Sequence, residues 1–474
     1  MNWEIIIGLE VHAELSTRSK LFCPCSTAFG GAPNTQVCPV CSGMPGSLPA
    51  VNRAAVEYAM RLGLALGCSV AERCKFDRKN YFYPDLPKAY QVSQLYEPIC
   101  RDGALEICSP SGPKTIGIRE IHMEEDAGKL NHNGVTLMDF NRCGVPLLEI
   151  VSQPDMRGGA EAVAYLEKLR DTLLYLDICD CKMQEGSIRA DVNVSVRRPG
   201  EALGTRTEMK NLNSFKAIAR AIDYESRRQA DILQSGGAIT QETRRWDDAN
   251  GVSYGMRNKE NAQDYRYFPE PDLLPLRIDA AWLAAVRESL PEMAHQKRER
   301  YMREHGLSAH EAAVLTSHRN VARLYEELCA LSSQPVESAR LLTGEVMRLC
   351  NATGTAAEDL ALDAAKLARL VGFVLDGKIS RAAYKEVTEA VFTRDADVDA
   401  YIAEKGLMMS LRGDEAAEAA RLVLAEQPGA LADYRAGKQK AFGFLMGQVM
   451  RKLGGAGNPA LAERALRQAL DGSD

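Results

Sequence analysis

Residues 4–15, EIIIGLEVHAEL, decide how the first part of the chain folds. Successive side chains of an extended strand point to opposite faces, so Glu10, His12 and Glu14 share one face. The other face carries only apolar residues in the same stretch: Leu9, Val11 and Ala13. This alternation predicts a strand with one face packed on a core. Taken alone, the polar face is most simply explained by contact with solvent.

Patterns further along the chain predict a mixed α/β region followed by helices. Residues 52–67, 158–176 and 213–237 show helical periodicity, and 242–257 reads as a hairpin around an Asn-Gly turn. Short strands and polar loops fill the stretch from about residue 75 to 150. We therefore predict an α+β fold in three parts: a mixed α/β domain on a largely antiparallel sheet (1–292), a helical domain (293–405) and a small helical tail (406–474).

Composition limits the class of protein. The chain has 474 residues, of which 46% are hydrophobic and 26% charged, and its net charge is −6. We expect two or three domains, no membrane span and no secretory signal, because the N-terminus is acidic and has no basic segment. Thirteen cysteines in a long chain with a non-secretory start are expected to be reduced, which favours a cytoplasmic protein.

Four of the cysteines have the spacing of a metal site. They form C-x-C-x12-C-x2-C, two close pairs separated by a loop rich in Gly, Pro and Asn: Cys23, Cys25, Cys38 and Cys41. Four thiolates on two such turns can close a tetrahedron around Zn²⁺, and a site filled by four protein ligands is structural. Two unrelated pairs, or a redox C-x-x-C, are the alternatives. The other nine cysteines are expected to be buried or incidental thiols.

A second kind of site is indicated by acidic residues near histidines. Residues 117–130 contain Glu120, His122, Glu124, Glu125 and Asp126, and residues 145–155 place Glu149 within an apolar run. A carboxylate in such a run is costly unless it is paired or bound to a metal. Carboxylates with an imidazole and no thiolate suit a hard divalent ion such as Mg²⁺. His122 is more simply a core histidine or a partner of a ligand than a ligand itself.

Basic residues accumulate near the C-terminus. Residues 435–452 contain five basic residues and no acid, in a chain of negative net charge: Arg435, Lys438, Lys440, Arg451 and Lys452. We predict that Lys438, Lys440, Arg451 and Lys452 contact nucleic-acid phosphates. A solvated amphipathic helix with ordinary lysines is the alternative. The chain contains no G-x-x-x-x-G-K-[ST], so a nucleotide site is not expected to be a P-loop.

Nine motifs in order carry a family resemblance. Their sequences are GLEVHAEL (8–15), FDRKNYFYPDLPKAYQVSQ (76–94), HMEEDAGK (122–129), VPLLEIVSQPD (145–155), GSIRADVNVS (186–195), KNLNSF (210–215), QETRRWD (241–247), DYRYFPEPDL (264–273) and GKQKAFGFLMGQVM (437–450). Together they resemble the B subunits of the heterotrimeric aspartyl/glutamyl-tRNA amidotransferases. The resemblance runs nearly from end to end. A related archaeal amidotransferase carries a large synthetase-like insertion, for which this chain has no room.

The resemblance implies a fold, an activity and partners. It implies a cradle-shaped α/β domain, a helical domain and a helical tail that contacts tRNA. The implied activity is ATP-dependent phosphorylation of the side-chain carboxylate of Glu-tRNA(Gln) or Asp-tRNA(Asn), followed by amidation. A separate glutaminase subunit of the amidase-signature fold (A) would supply ammonia through a tunnel, and a small subunit (C) would complete the heterotrimer. ATP, Mg²⁺ and Zn²⁺ are the implied cofactors.

The resemblance also assigns residues. The Mg²⁺ ligands would be Glu10, His12, Glu125 and Glu149. The catalytic residues would be Glu125, Lys79 and Lys88, with Glu125 and Lys79 at the tunnel exit. Phosphates or the substrate carboxylate would be held by the basic residues Arg78, Lys79, Lys88 and Lys210. The cofactor-binding residues would be Arg78, Asp191, Asn193, Lys210 and Asn211, with Asp191 and Asn193 in the wall of the nucleotide or metal pocket. Each has a simpler explanation: Arg78 and Lys79 as a solvated pair, Asp191 and Asn193 as polar surface, and residues 210–214 as a strand end and helix N-cap.

Two functions from other classes stay open at this point. A metal-dependent hydrolase of RNA or a phosphoester would share the acidic cluster but would need neither ATP nor a partner. A non-catalytic tRNA-binding scaffold would need only the zinc site and the basic tail. ATP turnover that depends on aminoacylated tRNA would exclude the scaffold, and inactivity without a glutamine-hydrolysing partner would argue against the hydrolase.

Overall fold

The computed structural model describes residues 3–256, 265–409, 413–453 and 459–471. The chain divides into two compact units, Met1–Met293 and Ala294–Asp474. In the described residues, the named strands belong to the first unit, whereas the second unit is helical. The predicted α+β class, with a mixed sheet domain before a helical region, is confirmed. The finer division at residue 405 stays a prediction.

The strands and helices have the following bounds. The strands are β1 Glu4–Glu14, β2 Ser69–Val70, β3 Arg73–Cys74, β4 Asp77–Asn80, β5 Tyr90–Ser93, β6 Cys100–Ser109, β7 Gly112–Glu125, β8 Lys129–Asn133, β9 Val135–Asp139, β10 Pro146–Ser152, β11 Ile188–Arg197, β12 Thr207–Lys210, β13 Thr243–Asp247, β14 Val252–Gly255, β15 Phe268–Pro269 and β16 Leu276–Arg277. The helices of the first unit are α1 Arg53–Ala65, α2 Gly159–Tyr175, α3 Phe215–Gln234 and α4 Ala280–Glu288. Those of the second unit are α5 Ala294–His305, α6 Ala309–Leu315, α7 Arg319–Ser332, α8 Pro335–Arg340, α9 Met347–Thr353, α10 Ala364–Leu375, α11 Arg381–Arg394, α12 Val398–Lys405, α13 Gly413–Glu426, α14 Pro428–Arg435, α15 Gln439–Lys452 and α16 Pro459–Asp471.

A nine-stranded sheet organises the first unit. Its order is β14-β13-β12-β11-β1-β10-β7-β6-β2, and all of its pairings are antiparallel except β12 with β13. β1 lies at the centre, between β11 and β10. His12 is opposite Arg189 of β11 and Glu149 of β10, and Glu149 is opposite His122 of β7. Because directly opposed residues share a face, these four side chains form one row across the sheet.

The apolar face of β1 packs on the core. Leu9, Val11 and Ala13 are fully buried, in one cluster with apolar residues of α1, α2 and α3 such as Met60, Leu166 and Ile222. Covering this face with helices fixes the register, because a slip of one residue would move every charged side chain of β1 into the core. The polar residues therefore face away from the core.

Predicted helix ends and turns in the first unit are confirmed. Asn52 caps α1 by accepting a hydrogen bond from the Ala54 amide (3.0 Å), and Ser214 caps α3 by accepting from the Ala217 amide (3.0 Å). The hairpin of β13 and β14 turns at Gly251, whose φ of +66° suits glycine. Local sequence thus determines where these elements begin and turn.

The second unit contains two further apolar clusters, one from Tyr301 to Ile402 and one from Ala416 to Leu470. A π-helical turn, Leu341–Val346, joins α8 to α9, and a short 3₁₀ turn lies at Ala357–Asp359. None of the described helices is both long and apolar enough to span a lipid bilayer.

Candidate active site

The row across the sheet brings together an imidazole and two carboxylates from three strands. His12 Nε2 lies 3.4 Å from Glu149 Oε2 and 3.6 Å from Glu124 Oε1. One ligating atom from each of the three residues can be chosen so that all lie within 4.8 Å of one another. His122 Nε2 lies 3.1 Å from Glu149 Oε2 and so holds that carboxylate from the far side. The arrangement can hold one small cation.

The charges of this cluster depend on one another. Burial alone would lower the pKa of His12, but the Glu149 carboxylate, with Glu124 and Asp191, raises it to about 9. Burial raises the pKa of Glu124, and the negative charge of Glu149 adds to this. Burial also opposes ionisation of Glu149, but His122 and His12 hold its pKa well below the usual value. Protonated His12 and His122 thus balance the charge of the Glu149 carboxylate within the cluster.

Neighbouring polar pairs extend the site along β1, β11 and β12. The Lys210 ammonium donates to Asp191, which is opposite Glu10 in the register, and lies 3.3 Å from Glu208. Asn193 Nδ2 donates to Glu10 Oε1 at 3.0 Å. Burial alone would lower the pKa of Lys210, but the charges of Asp191 and Glu208 outweigh it and raise the pKa. This ammonium stays charged and is available to a phosphate that displaces its partners.

A second charged pair lies at the end of β7. The Lys88 ammonium donates to Glu125 Oε1, which also accepts from the Val92 amide at 2.9 Å. Both side chains line a cavity of about 200 Å³, together with Lys20 and Cys41. Because Glu125 follows Glu124 in the same strand, its side chain points to the opposite side of the sheet from His122 and Glu124.

Lys79 and Arg78 of β4 have different surroundings. The Lys79 ammonium lies 5.0 Å from the centre of the Tyr265 ring and 5.6 Å from that of Tyr81. Its positive charge reaches Glu124 and partly offsets the rise that burial causes in the pKa of that carboxyl. Arg78, by contrast, makes a two-pronged ion pair with Glu270 (2.6 and 2.9 Å). Glu270 thus neutralises most of the charge that Arg78 would offer a phosphate.

The four predicted zinc ligands come together in the structure. Their sulfur atoms lie within 4.8 Å of one another, and Cys38 Sγ is 3.9 Å from Cys41 Sγ. Zn–S bonds of about 2.3 Å at tetrahedral angles place sulfurs about 3.8 Å apart, so the group fits Zn²⁺. Lys20 is 1% exposed, and its ammonium donates to Cys41 Sγ at 3.6 Å and to Phe140 O at 3.3 Å. A hydrogen bond from Cys23, with the Lys20 charge, lowers the pKa of Cys41 to about 4 despite burial.

Comparison with known proteins identifies the family. Residues 5–284 match the family described as the GatB/GatE catalytic domain, and residues 323–470 match the GatB domain. The B subunit of the aspartyl/glutamyl-tRNA(Asn/Gln) amidotransferase of Lachnoclostridium phytofermentans is 52% identical over 472 residues, 99% of each chain. The chain belongs to the family of aspartyl/glutamyl-tRNA(Asn/Gln) amidotransferase B subunits. The resemblance carried by the nine motifs is confirmed.

Other members of the B-subunit family match over the same length. The proteins of the same name from Caldicellulosiruptor bescii and Thermoanaerobacter pseudethanolicus are each 50% identical, over 479 and 474 residues, which cover 99% of this chain and 100% of theirs. The match therefore includes both the sheet domain that holds the His12 cluster and the helical region.

In this member of the B-subunit family the observed acidic cluster differs from the predicted metal set at two of four positions. His12 and Glu149 lie in it, as expected, and Glu124 is the third member. Glu125 instead binds Lys88, because the alternation of β7 turns it to the other side. Glu10 binds Asn193 one step along β1.

The predicted cofactor-binding residues also separate into groups. Asp191, Asn193 and Lys210 lie on the polar face beside His12, whereas Arg78 is held by Glu270. Asn211 donates its amide to Trp246 O at 2.9 Å, and its φ of +66° marks the end of β12. For Asn211, the structural explanation is therefore the better one.

Sequence reasoning gave no role to two residues of the site, Glu124, which it named only within the acidic run, and Lys20. The alternation of side chains along a strand could have indicated Glu124, because Glu124 shares a face with His122 and Glu125 does not. Lys20 gave no signal, because a lysine close before a cysteine pair looks like an ordinary surface residue. Its burial depends on the backbone of Phe140, which lies 120 residues away in the sequence.

The basic tail contains an exposed stripe on α15. Lys440, Phe444, Gly447 and Arg451 are not buried and recur at the spacing of one helix face, opposite the buried Leu445 and Val449. The remaining two predicted contacts carry ion pairs. Lys438 pairs with Asp433 (2.8 Å), and Lys452 contacts Glu426. Lys440 and Arg451 are therefore better placed than Lys438 and Lys452 to meet phosphates.

Proposed function

We propose that this chain is the subunit that activates, with ATP, the side-chain carboxylate of glutamate on tRNA(Gln) or aspartate on tRNA(Asn) and then joins it to ammonia. The observation that carries the proposal is the His12, Glu124 and Glu149 cluster beside Lys210, on one face of the domain that matches the family's catalytic domain. The product is the correctly amidated aminoacyl-tRNA.

The reaction needs ATP for a chemical reason. Ammonia does not displace an oxygen from a carboxylate, because oxide is a very poor leaving group. Transfer of the γ-phosphoryl group to the carboxylate gives an acyl phosphate and ADP. Ammonia then attacks the acyl carbon, and inorganic phosphate leaves as the amide forms. Catalysis of phosphoryl transfer is mainly positioning and charge neutralisation, which the polar face supplies.

The donor set fits a divalent cation such as Mg²⁺. His12, Glu124 and Glu149 offer one nitrogen and two oxygens within 4.8 Å of one another, in a buried place that favours a compensating charge. A bound Mg²⁺ would neutralise phosphate oxygens during transfer. His122 orients Glu149, and Lys210 holds a phosphate once it exchanges Asp191 for it. Arg78 has a structural role, because Glu270 holds it.

Lys88, Glu125 and Lys79 serve the ammonia half of the reaction. Lys88 fixes the Glu125 carboxylate at the wall of the 200 Å³ cavity. A carboxylate fixed there accepts the proton that ammonium must lose before its nitrogen can attack. Lys79, close enough to influence Glu124, helps to orient the substrate carboxylate.

The enzyme works as a heterotrimer in the cytoplasm. An amidase-signature glutaminase (A) produces the ammonia, and a small subunit (C) links it to this chain. The exposed face of α15 binds the tRNA backbone. The four-cysteine group holds Zn²⁺ as a structural ion, because four protein ligands leave no position for a reacting water. The hydrolase and scaffold alternatives are not favoured, since neither accounts for membership of an amidotransferase family.

The proposal is tested by Glu124→Gln in the purified heterotrimer, with Glu120→Gln as the matched control. Both residues are glutamates of β7 on the same face, but the Glu120 carboxylate lies 2.9 Å from Arg119. We expect Glu124→Gln to lose Gln-tRNA formation by about 100-fold or more and to require more Mg²⁺, as for removal of a metal ligand. Glutaminase activity of the partner should persist. Full Gln-tRNA formation by Glu124→Gln would refute the proposed site.

A further inference from the structure

Three tyrosines of the first unit form a cluster to which the reaction has so far assigned no role. The centroids of the Tyr81 and Tyr265 rings lie 5.7 Å apart at 74°, and those of Tyr265 and Tyr267 lie 6.1 Å apart at 68°. Tyr81 follows directly after β4, whereas the other two tyrosines precede β15, much later in the chain. Edge-to-face pairs of this kind are favourable beyond the area they bury. Two distant segments thus bring their rings together.

A hydrogen bond and a left-handed residue hold the later segment in place. The Asn80 side-chain amide donates to the Arg266 carbonyl oxygen at 2.9 Å, and β15 pairs with β4 directly afterwards. Arg266, between the two tyrosines, has a φ of +47°. A left-handed backbone is strained in a residue other than glycine and persists only where its surroundings enforce it. Here the strained turn places Tyr265 against Lys79 of β4.

The Lys79 ammonium lies beside these rings. It is 5.0 Å from the centre of the Tyr265 ring and 5.6 Å from that of Tyr81. The face of an aromatic ring attracts a cation but carries no net charge, so the rings restrain the ammonium without neutralising it. In the described part of the chain, Lys79 forms no ion pair with a carboxylate.

The other basic residues assigned to the site are held by charge instead of by rings. Each of them donates to a carboxylate: Arg78 to Glu270, Lys88 to Glu125 and Lys210 to Asp191. Each must give up that partner before it can bind an anion of the substrate. Lys79 need not, because a ring contact can stay in place while the ammonium meets an anion.

The tyrosine cluster and Lys79 lie within electrostatic reach of the metal cluster. Burial raises the pKa of Tyr267, and the negative charges of Glu124 and Glu149 add to this. The Lys79 charge in turn acts on Glu124, where it opposes the effect of burial. An anion bound to Lys79 would therefore lie beside the carboxylates that the proposed function assigns to Mg²⁺.

We propose that Tyr265 and Tyr81 are positioning residues of the reaction, which hold the Lys79 ammonium by their rings and leave its charge to the side-chain carboxylate of the aminoacyl group. The proposal deepens the proposed function and rests on it for the identity of the anion. The γ-phosphate of ATP is the other oxyanion that must reach this region. The carboxylate is the better match, since Lys210 is already placed to hold a phosphate.

The test compares Tyr265→Leu with Tyr265→Phe in the purified heterotrimer, with Tyr96→Leu as the matched control. Leucine removes the ring, whereas phenylalanine keeps it and removes only the hydroxyl. The Tyr96 ring also lies near an ammonium, 5.3 Å from that of Lys75, but Lys75 is 3.6 Å from the Asp77 carboxylate. Each change is made in the wild type and in Lys79→Met, which gives a double-mutant cycle.

We expect Tyr265→Leu to lower kcat/Km for Glu-tRNA(Gln) by about tenfold, as for loss of one partly desolvated contact between a cation and a ring, with the Km for ATP at its wild-type value. Tyr265→Phe should recover most of this loss. In the Lys79→Met background, Tyr265→Leu should cause no further loss. An equal effect of Tyr265→Leu in both backgrounds would overturn the proposal, and so would a change confined to the Km for ATP.

A measurement without turnover separates this inference from the proposed function. Reductive methylation with carbon-13 formaldehyde gives each lysine an NMR signal and keeps its charge. The Lys79 signal, identified by its absence in Lys79→Met, should be displaced by the ring currents, and Tyr265→Leu but not Tyr265→Phe should remove that displacement. An undisplaced signal in the wild type would overturn the proposal. A displaced signal without tRNA-dependent ATP turnover would support the ring contacts and refute the proposed function.

Discussion

Replacing Lys20 by methionine tests the proposed zinc site through a residue that is not itself one of the four cysteines. Lys20 is 1% exposed, and its ammonium lies 3.6 Å from Cys41 Sγ. With Zn²⁺ bound, the four thiolates and the ion would carry a net charge of −2, which the Lys20 ammonium would partly balance. Methionine keeps most of the length and the apolar stem of the side chain but removes the charge and the hydrogen bond.

The size of the effect follows from this contact. At 3.6 Å and an effective dielectric constant of about 20, two unit charges interact by about 4–5 kcal/mol, before the cost of burying the lysine is subtracted. The net value of a hydrogen bond to a charged group is about 1.5–3 kcal/mol. We therefore expect Lys20→Met to weaken zinc binding by about 10- to 100-fold, the usual range for the loss of a residue that supports a ligand.

Competition with a coloured chelator, followed by elemental analysis of the heterotrimer, measures this change. Lys75→Met is the control, because Lys75 is also partly buried in the same unit but lies beside Asp77 (3.6 Å), not the cysteines. Equal zinc affinity in wild type and Lys20→Met would refute the assigned role of Lys20. A wild-type protein purified without zinc, and unable to bind it, would refute the site itself.

Two further predictions concern stability and tRNA binding. Glu225→Gln should lower the free energy of unfolding by about 3–5 kcal/mol at pH 7, because it leaves the partners of a buried carboxylate, Arg228 among them, without their charge. Burial alone would raise the pKa of Glu225, but hydrogen bonds from Arg228 outweigh burial and lower the pKa. The extra stability of the wild type over Glu225→Gln is therefore present above pH 4.5 and is lost as pH falls through the lowered pKa. Urea unfolding of wild type and Glu225→Gln at several pH values measures the loss of stability and its dependence on pH. Equal free energies of unfolding of the two proteins at pH 7 would contradict the role of the Glu225 carboxylate. The double variant Lys440→Ala/Arg451→Ala should reduce the slope of log tRNA affinity against log salt concentration by about 2. Arg467→Ala, at an exposed position of α16 that pairs with Glu463, should leave this slope unchanged.

Local features of the fold could be predicted from sequence because local interactions determine them. The alternation of residues 4–15 gives β1 its two faces, and Asn52 and Ser214 cap their helices with hydrogen bonds to amides two or three residues away. The cysteine spacing likewise brings four sulfurs together across a short loop. Each of these depends on residues near one another in the chain.

Features that depend on distant contacts could not be predicted. The length of β7, 14 residues, exceeds the short strands expected for that stretch, because β6 and β10 pair with it along its length. From the sequence, Arg78 was expected to bind a phosphate, but in the structure it forms an ion pair with Glu270, which lies 192 residues later in the chain. Lys20 is another case, since only the folded chain places Phe140 over it.

The choice between Glu124 and Glu125 lies between these cases. Both are acids beside a histidine motif, and the family pattern led to Glu125. The alternation of strand faces favours Glu124, since it is two residues from His122. This alternation is informative only when the segment is known to be a strand without a bulge. The observed register of β7 with β10, which pairs His122 with Glu149, supplies that knowledge.

ATP hydrolysis by the heterotrimer tests the central claim most directly. It should be measured with Glu-tRNA(Gln), with uncharged tRNA(Gln) and without tRNA, each with and without Mg²⁺. If this chain activates the side-chain carboxylate, ADP release rises strongly with Glu-tRNA(Gln) alone and only when Mg²⁺ is present. ADP release at the same rate with charged and uncharged tRNA would contradict carboxylate activation as the function of the His12, Glu124 and Glu149 cluster.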